Sequence, residues 1–591
     1  MRQIIVLDNF DINNKVNFLE KKNIINWNRS VKNNYRSILT YIESNDKYFQ
    51  KKYIDFISKI KRSYFLKKKI NQSYIIQNNF SLWEMSLFEE KSIYKTPQIN
   101  DLIKILALKE IIKIEKIKII TIYSNNKKLK SDILSLIDNI EIKFNYIKSK
   151  SDKKNIFFRN NFLYFTFYLI KFYIKRFKIF TSECQLKENA ILIFDYFTFF
   201  DKTKALNGKF SSSYWKNFLP IIKKNKMNLN FIHITLDEKN FHLNKKLNII
   251  KNLNKSKNIS HNILDTQIDF GIFLSVLNIF LKNYAKYIFF KIRYSNNYIF
   301  KNSILHKMFI DSFVGVWSIK NLYFFFMFKK LSINHLKDNK IMIYVNEFHG
   351  WEKSMIYCLR KNTKSTICGI QFNPIRNWDL RYKFQLTKKN RELYPDIIIG
   401  FHKSTIKQLN KVLSNYANLE ITIANNLRPL LLDFKNKTKK NDKILIIGDH
   451  DDASTISLLK MINAFLVSNK FYTFEYKPHP VSKIGISKFK NLSNIKVFND
   501  NTCFKSKYSA YIVSNKTSLG LELLNSNLKT GVMLDKESLN LSPVDKHYQF
   551  FIQNGSELKN FIENKNDYNS TNKKIKTTSW FNIIKVWKKK L

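Results

Sequence analysis

A histidine held between two prolines is the strongest chemical signal in this sequence. The segment FEYKPHP, residues 474–480, joins a short strand-like run to a turn that proline stiffens on both sides of His479. Ligands of doubly wound sheets bind outside the carboxyl ends of the strands, so Lys477 and His479 suit a diphosphate or phosphodiester. Lys477 would act as a point charge and His479 as a donor to a leaving phosphate. A purely structural turn is the alternative for His479.

A second anion-binding pattern follows the strand-like run AYIV. Ser514, Thr517 and Ser518 stand directly before a helix that begins LGLELL. Hydroxyls and free N–H groups at a helix N-terminus bind anions, although an ordinary Ser/Thr cap has the same sequence. We expect this loop and the His479 turn to meet at one phosphate within a single α/β domain. Glu522, one helical turn further on, is either an acceptor for a ribose hydroxyl or a solvated helix acid.

Candidates for a general base lie in NEFHGWE, residues 346–352, after the strand-like run IMIYV. A group transfer to a hydroxyl needs a carboxylate or histidine that removes the hydroxyl proton. Glu347 and Glu352 both fit this role, and His349 is the weaker candidate. One of the two glutamates could instead cap the helix that follows.

The acidic run DHDD, residues 449–452, has two interpretations. Its oxygens and imidazole could hold Mg²⁺ or Mn²⁺. The run also stands between a strand and a helix, where Asp451 or Asp452 would serve as an N-cap, and we favour the cap. The sequence has only 11 glycines and contains neither a dinucleotide fingerprint nor a Walker lysine loop. We therefore predict no metal and no cofactor.

Length and composition restrict the possible classes of protein. The chain has 591 residues, 44% of them hydrophobic, which predicts at least two folded domains. The net charge of +56 attracts polyanions such as anionic lipid, acidic glycan or nucleotide. Because the lysines are spread along the chain rather than focused on one stripe, nucleic acid is not an expected partner. Four cysteines without metal-ligand spacing and the absence of a signal-peptide pattern predict a cytoplasmic protein.

Strand-like runs alternate with helical patterns along most of the chain. This alternation predicts an α/β fold with parallel sheets whose two faces are covered. The polar segment SINHLKDNK suggests a boundary, so we predict domains at residues 1–335 and 336–563, the first with a helical insertion. Residues 564–591 read as a polar linker and a basic amphipathic helix.

Two aromatic runs, residues 162–180 and 321–328, are too short or too often interrupted by lysine to span a bilayer. They could lie in the plane of the lipid headgroups or form buried helices with lysines at their rims. The C-terminal Trp580, Ile584 and Trp587 recur near helical spacing. That helix could lie on a membrane or pack on the N-terminal domain, and we favour packing.

Several of these motifs, in this order, resemble a family of bacterial surface carbohydrate biosynthesis proteins found in O-antigen and capsule loci. The resemblance covers most of the chain. It rests on these segments: FSLWEMSLFEEKSIYKTPQINDLIKILAL, ILIFDYFTFFD, GKFSSSYW, NEFHGWEKSM, GIQFNPIRNWDLRY, YPDIIIG, ILIIGDHDDAST, YKPHP, SNKTS and LNLSPV.

The His-Pro and Ser/Thr motifs are also similar to those of bacterial sialyltransferases and Kdo transferases. That resemblance implies the GT-B fold, in which two Rossmann-like domains face a cleft and the second binds the nucleotide-sugar. It implies that His479 and the loop of Ser514, Thr517 and Ser518 hold the phosphate of a CMP-sugar. One of the NEFHGWE glutamates would replace the catalytic acid of the family's D/E-D/E-G motif, although this chain reads Glu-Phe-His-Gly there.

Together these resemblances imply a metal-independent, inverting glycosyltransferase of surface polysaccharide biosynthesis. Its expected partners are a nucleotide-sugar, preferably CMP-linked, a glycan or lipid-linked glycan acceptor, and an anionic membrane surface. We expect it on the inner face of the cytoplasmic membrane as a peripheral protein. The alternative is a non-catalytic polysaccharide assembly or binding protein on the same scaffold.

Overall fold

The protein folds into three parallel α/β units that follow one another along the chain. The computed structural model describes residues 3–8, 23–29, 36–65, 67–146, 162–177, 184–235, 243–256, 258–384, 390–401, 409–410, 419–424, 440–479, 482, 484–498, 502–505, 507–545, 548–564 and 579–588.

Strands and helices are numbered here in chain order. The strands are β1 (Gln3–Leu7), β2 (Ile24–Asn26), β3 (Arg36–Ser37), β4 (Tyr64–Phe65), β5 (Lys68–Lys69), β6 (Ile75–Gln77), β7 (Phe80–Ser81), β8 (Ile119–Ser124), β9 (Glu141–Tyr146), β10 (Ala190–Tyr196), β11 (Asn228–Ile234), β12 (Ile259–Ile263), β13 (Ile341–Val345), β14 (Thr366–Gln371), β15 (Ile397–Gly400), β16 (Glu420–Ile423), β17 (Lys440–Ile447), β18 (Phe474–Lys477), β19 (Lys496–Val497), β20 (Lys507–Ser514), β21 (Thr530–Met533) and β22 (Phe551–Ile552). The helices are α1 (Ile38–Ser44), α2 (Asp46–Arg62), α3 (Ile70–Ser73), α4 (Leu87–Glu90), α5 (Ile99–Glu115), α6 (Leu129–Leu134), α7 (Phe162–Phe177), α8 (Lys202–Leu206), α9 (Leu219–Lys224), α10 (Leu243–Leu253), α11 (Phe270–Arg293), α12 (Tyr298–Lys301), α13 (Ser303–Phe313), α14 (Val316–Asn334), α15 (Gly350–Asn362), α16 (Asp452–Ser468), α17 (Leu519–Asn525), α18 (Gly555–Glu563) and α19 (Trp580–Lys588).

Each unit is built on a parallel sheet with the strand order of a Rossmann fold. The first sheet runs β3-β2-β1-β8-β9, the middle sheet β12-β11-β10-β13-β14-β15-β16, and the third β19-β18-β17-β20-β21-β22. In each of them the strand order reverses between the first and the fourth strand of the unit, which is where such sheets bind ligands. The predicted α/β fold with Rossmann-like parallel sheets is confirmed. The first sheet is an additional one within the region predicted as the N-terminal domain.

The domain boundary predicted between residues 335 and 336 is wrong. β10 pairs directly with β13, so that boundary would cut through the middle sheet. The helices α8 to α14 and the strands β11 and β12 lie between these two strands in the sequence, and the segment SINHLKDNK merely connects α14 to β13. The third unit starts at β17, which means that residues 336–563 contain four of the seven strands of the middle sheet as well as the third unit.

Alternating side chains along the central strands fill hydrophobic clusters on both faces of a sheet. In β10, Ile191 and Ile193 join one cluster while Leu192 and Phe194 join another. In β17 the same alternation divides the residues Ile444–Ile447 between two clusters. Both faces of these sheets are therefore covered, which explains the continuous apolar runs that made the strands visible in the sequence.

The aromatic runs differ in how they are used. Most of residues 321–328 is buried within α14, as one of the two interpretations required. α7 is buried on one face and exposes apolar side chains on the other.

The C-terminal helix α19 packs on the middle unit, where its side chains Trp580, Ile584 and Trp587 are buried. The ring centres of Trp580 and Phe218 lie 5.4 Å apart, so the predicted packing on the N-terminal part is confirmed. Residues 565–578 of the predicted linker lie outside the described residues. None of the helices in the described part of the chain is both long and apolar enough to span a bilayer.

Candidate active site

The carboxyl edge of the third sheet brings together the histidine turn and the Ser/Thr loop. β18, β17 and β20 are neighbours in this sheet and deliver His479, His450 and Ser514 to one edge. The His450 ring lies 6.0 Å from the His479 ring. Asp449 links the ends of β17 and β20, because one of its carboxylate oxygens lies 2.5 Å from His450 Nδ1 and the other accepts a hydrogen bond of 3.2 Å from Ser514. The two predicted motifs therefore do meet at one edge; Pro480 lies outside the described residues.

Two buried polar side chains of this edge have the character of an anion site. Lys477 is 5% exposed, and in the described part of the chain no carboxylate pairs with its ammonium. Asn515, at the point where the strand order reverses, is fully buried, and neither polar atom of its amide has a hydrogen-bond partner among the described residues. Burying such groups unpaired is costly. An ammonium and an amide in this setting suit an anionic ligand that accepts and donates hydrogen bonds.

The remaining residues of the Ser/Thr loop lie at the start of α17. Thr517 Oγ1 accepts a hydrogen bond from the Leu519 N–H at 3.3 Å, so Thr517 performs part of the ordinary capping that the sequence also allowed. Ser518 occupies the N-cap position without a side-chain capping bond. Glu522 is half-buried in the first turn of α17. Of these two residues, Thr517 therefore caps α17 through its hydroxyl and Ser518 does not.

The acidic run follows the helix-cap interpretation. Asp451 is the N-cap of α16 and accepts from the Ser454 N–H and hydroxyl. Lys516 forms an ion pair with Asp451 at 2.5 Å, and Asp452 accepts a hydrogen bond from Ser482. These carboxylates therefore stabilise α16 and its contact with the Ser/Thr loop.

The carboxyl edge of the middle sheet holds a histidine between two carboxylates. His349 Nε2 lies 2.8 Å from Glu347 and its Nδ1 lies 2.9 Å from Glu90, which belongs to α4 of the first unit. Lys95 forms an ion pair with Glu90 at 2.7 Å, and Asn373 donates to Glu347 at 2.8 Å. The order Lys95–Glu90–His349–Glu347 alternates in charge when His349 is protonated.

The pKa values of this cluster follow from burial and these partners. Burial alone would raise the pKa of Glu347, but the hydrogen bond and charge of His349, with help from Arg381 and Asn373, lower it to about 2. Burial and the charge of Lys95 oppose protonation of His349, yet Glu90 and Glu347 together raise its pKa above the usual value. Glu347 is thus ionised near neutral pH, and its charge and that of Glu90 favour the protonated form of His349.

The two candidate glutamates have different surroundings. Glu352 is 1% exposed and accepts hydrogen bonds from the backbone N–H groups of Glu347 and Phe348, so it holds the turn after β13. Burial raises the pKa of Glu352 to about 7. Phe348 has φ of 55°, a left-handed conformation that costs energy for a bulky residue and that these hydrogen bonds help to maintain. The Glu347 side chain is 22% exposed and is the more accessible of the two carboxylates.

Tyr94 and Arg376 connect the middle and third edges. The Arg376 guanidinium donates to the Lys516 carbonyl oxygen at 2.8 Å. The Tyr94 ring lies 5.6 Å from the Arg381 guanidinium and 6.4 Å from the His450 ring. Arg381 in turn lies 3.8 Å from Glu347. A line of side chains therefore joins the base candidate of one sheet to the histidines of the other.

Sequence reasoning missed the contributions of Glu90, Tyr94 and Lys95 to this site. They come from the first unit, and Glu90 is 259 positions away from its partner His349. A signal existed, because all three lie in FEEKSIYK, a segment that supports the family resemblance. The residue types in that segment do not by themselves indicate a functional site.

Comparison with known proteins gives no assignment by sequence. The chain matches no protein-family model and no curated protein.

Several solved structures are similar to this chain at low identity. MurG of Acinetobacter baumannii is 9% identical, with 63% of this chain and 83% of that chain covered and a TM-score of 0.29. The α,α-trehalose 6-phosphate synthase of Burkholderia multivorans is 8% identical, with 64% and 89% covered and a TM-score of 0.32. TarM of S. aureus, in a complex that includes UDP, is 11% identical, with 64% and 93% covered and a TM-score of 0.31. The description of the fold accordingly rests on the sheet topology given above.

Proposed function

We propose that this protein is a glycosyltransferase of surface polysaccharide biosynthesis. It would transfer a sugar from a nucleotide-sugar, preferably CMP-linked, to a growing glycan by a metal-independent inverting reaction. The observation that carries the proposal is the convergence of His479, Ser514 and buried Lys477 at one sheet edge, opposite an ionised Glu347 on the facing edge.

The third unit would bind the donor. Lys477 and Asn515 supply a buried cation and an unpaired amide for the phosphate, and His479 donates to the phosphate oxygen that leaves. Charge-assisted hydrogen bonds of this type contribute about 1.5–3 kcal/mol each. Stabilising charge on the departing phosphate is usually the largest catalytic contribution in sites of this kind.

Glu347 would remove the acceptor proton. The acceptor oxygen attacks the anomeric carbon, the bond from that carbon to the phosphate oxygen breaks, and the proton passes to the Glu347 carboxylate. Glu352 is assigned the positioning role, since it is buried and accepts backbone hydrogen bonds. The low pKa of Glu347 implies that the proton moves late, as the new bond forms.

Association with an anionic membrane surface belongs to the same proposal. α7 and α11 pack side by side, with Tyr173 and Phe273 at 4.6 Å between ring centres. Their outer faces expose large apolar side chains: Leu163, Phe167, Ile170 and Ile174 of α7, and Phe270, Leu274, Leu281, Ile288, Phe289 and Ile292 of α11. Exposed lysines at positions 171, 175, 282 and 291 flank them. We call this surface the α7/α11 face; apolar residues with flanking lysines suit the boundary between headgroups and acyl chains.

A non-catalytic assembly or binding protein is the second candidate. The observation that favours it is the engagement of both imidazole nitrogens of His349 by carboxylates, which leaves this histidine unable to act as a base in the present arrangement. Such a protein would bind a nucleotide-sugar or glycan without consuming the donor.

Thermal-shift titration with CMP, UDP and GDP tests the donor site. A nucleotide at 100 times its Kd should stabilise the protein by about 2.7 kcal/mol. We expect stabilisation by CMP that is lost in His479→Ala and Lys477→Met and kept in Lys496→Met, a matched change at an exposed lysine of β19. Stabilisation by UDP or GDP alone would contradict the CMP preference. A response to none of the three would contradict the donor site.

A further inference from the structure

A large cavity lies between the first and third units, away from the cleft between Glu347 and His479. Its volume is about 1520 Å³. Asp8, Asn125 and Asn126 line it from the first sheet, where the strand order reverses between β1 and β8. Ligands of Rossmann-like sheets bind at this type of crevice. The Ser124 hydroxyl donates to Asp8 at 2.6 Å across the reversal, as Ser514 does to Asp449 in the third sheet.

The wall of the cavity mixes polar with apolar residues, and its charges are balanced. It carries eight asparagines or glutamines, five serines, five acidic residues and five lysines. This balance contrasts with the net charge of +56 for the chain. A polyanion would find no excess of positive charge here. Amides, carboxylates and hydroxyls side by side instead offer both donors and acceptors, which is what a neutral ligand with many hydroxyl groups requires.

Direct contacts between the two units fix the shape of the cavity. Arg29 of the first unit forms a bidentate ion pair with Glu43 and donates to the carbonyl oxygens of Asp535 and Ser538. The Asn540 N–H donates to Glu43 at 2.7 Å. The loop after β21 is thereby anchored in the first unit, so the walls are held in place before a ligand arrives.

One end of the cavity adjoins the proposed donor site. Asp451 and Lys516 line it, and Lys516 follows Ser514 and Asn515 of the nucleotide edge by one to two positions. A ligand in the cavity therefore lies next to the residues that would hold the donor. Typical pockets for drug-sized ligands have about 300–1,000 Å³, so this one has room for several sugar units.

We propose that this cavity binds a neutral oligosaccharide. Its identification as the acceptor glycan rests on the proposed transferase function, whereas oligosaccharide binding itself does not. Sugar hydroxyls would exchange hydrogen bonds with the amides and carboxylates of both units, and the chain would run from the first sheet toward the Ser/Thr loop.

Binding of the full-length protein to a printed array of neutral and acidic glycans tests this inference. Ser457→Trp and Ala464→Trp place bulk into the cavity from α16, and Val467→Trp is the matched control on an exposed position of the same helix outside the cavity wall. We expect binding to neutral glycans that weakens about tenfold or more in both wall variants and is unchanged in the control.

Three results would overturn the inference: no binding to any neutral glycan, binding to acidic glycans alone, or binding that both wall variants retain. The nucleotide-dependent thermal shift of all three variants is measured in parallel. Glycan binding without any nucleotide response would leave the inference standing while the transferase proposal fails. A nucleotide response without glycan binding would overturn the inference about the cavity while the transferase proposal stands.

Discussion

At the scale of single residues, His349 determines the chemistry of the middle edge. It bridges Glu347 and Glu90 through its two ring nitrogens. Its hydrogen bond and its charge are the largest of the effects that lower the pKa of Glu347, whereas burial raises that pKa. The charge states of such a closely coupled set belong to the group rather than to one residue. A change at His349 should therefore appear in the titration of Glu347.

His349→Gln should shift the acid limb of the transfer reaction to higher pH. The glutamine can keep a hydrogen bond to Glu347 but carries no charge. Loss of a neighbouring positive charge raises a carboxyl pKa by about 1–3 units, here from a value of about 2. The profile of kcat/KM against pH measures this shift. An acid limb at the same pH in both proteins would show that Glu347 is not the titrating base.

The lowered pKa of Glu347 should also make the free energy of unfolding depend on pH. The pKa of Glu347 is about 2 in the folded protein and about 4.3 in an unfolded chain, so its stabilising contribution is complete above pH 4.3 and is lost as the pH falls toward 2. In Glu347→Gln this part of the acid dependence disappears from the free energy of unfolding.

At the scale of elements, the turn between β13 and α15 depends on close backbone packing. A Cβ on Gly350 would lie 2.8 Å from the Met85 carbonyl oxygen and 2.9 Å from Met85 Cα, both backbone atoms. This contact joins α15, the helix that follows the turn, to the first unit near Glu90. Close packing against the Met85 backbone therefore requires a glycine at position 350, although its φ is not positive.

Gly350→Ala should lower stability and activity together. Overpacking of this kind costs about 1–3 kcal/mol, and relief of the clash would displace His349 from Glu90. Denaturant unfolding and kcat/KM measure the two effects. Gly485→Ala is the control, because its Cβ would meet its nearest atom at 3.8 Å and Gly485 does not line the cavity between the first and third units. Equal behaviour of the two variants would contradict the packing argument.

We expect the exposed apolar side chains of the α7/α11 face to be required for binding to anionic membranes. Gln in place of Leu163, Phe167, Leu274 and Ile292 should abolish co-sedimentation with vesicles that contain anionic lipid, because these side chains supply exposed apolar area. Gln in place of Val467 and Phe471, which are exposed on the third unit, is the matched control. Vesicles of neutral lipid alone should bind the wild type more weakly. Retention of binding by the four-residue variant would exclude this surface.

The sequence allowed the central strands to be predicted because burial on both faces requires continuous apolar runs. The strand-like run IMIYV, residues 341–345, matches β13 residue for residue. The motifs at strand ends were predictable for the related reason that parallel strands end at one edge. The boundary near residue 335 was wrong because seven α-helices and two strands lie between β10 and β13 in the sequence, and local patterns carry no information about that pairing. Glu90 was missed because only tertiary packing places it beside His349.

At the scale of the whole molecule, the first unit is a structural partner of the third. Arg29 is 5% exposed and joins Glu43 to the loop after β21. The buried side chains of Leu539 and Leu541 in that loop belong to a hydrophobic cluster shared with the first unit. Unfolding of one unit should therefore destabilise the other.

Arg29→Met should uncouple the two units. The substitution leaves Glu43 with a poorly compensated charge, and losing one partner of a buried pair costs about 3–5 kcal/mol. Differential scanning calorimetry should show a lower and less cooperative transition. Arg36→Met removes an exposed ion pair with Glu115 within the first unit and should cost about 1 kcal/mol or less. A similar small effect of both variants would contradict the coupling.

The proposed reaction would consume a nucleotide-sugar between the carboxyl edges of the middle and third sheets. The most direct measurement incubates the purified protein with CMP-, UDP- and GDP-sugars and isolated lipid-linked glycans, and follows donor and glycan by mass spectrometry. We predict that one donor, the CMP-sugar, is converted to free nucleotide while the glycan gains one sugar mass, and that Glu347→Gln reduces this rate about 10²–10⁴-fold. Consumption of no donor, or an equal rate in Glu347→Gln, would contradict the account.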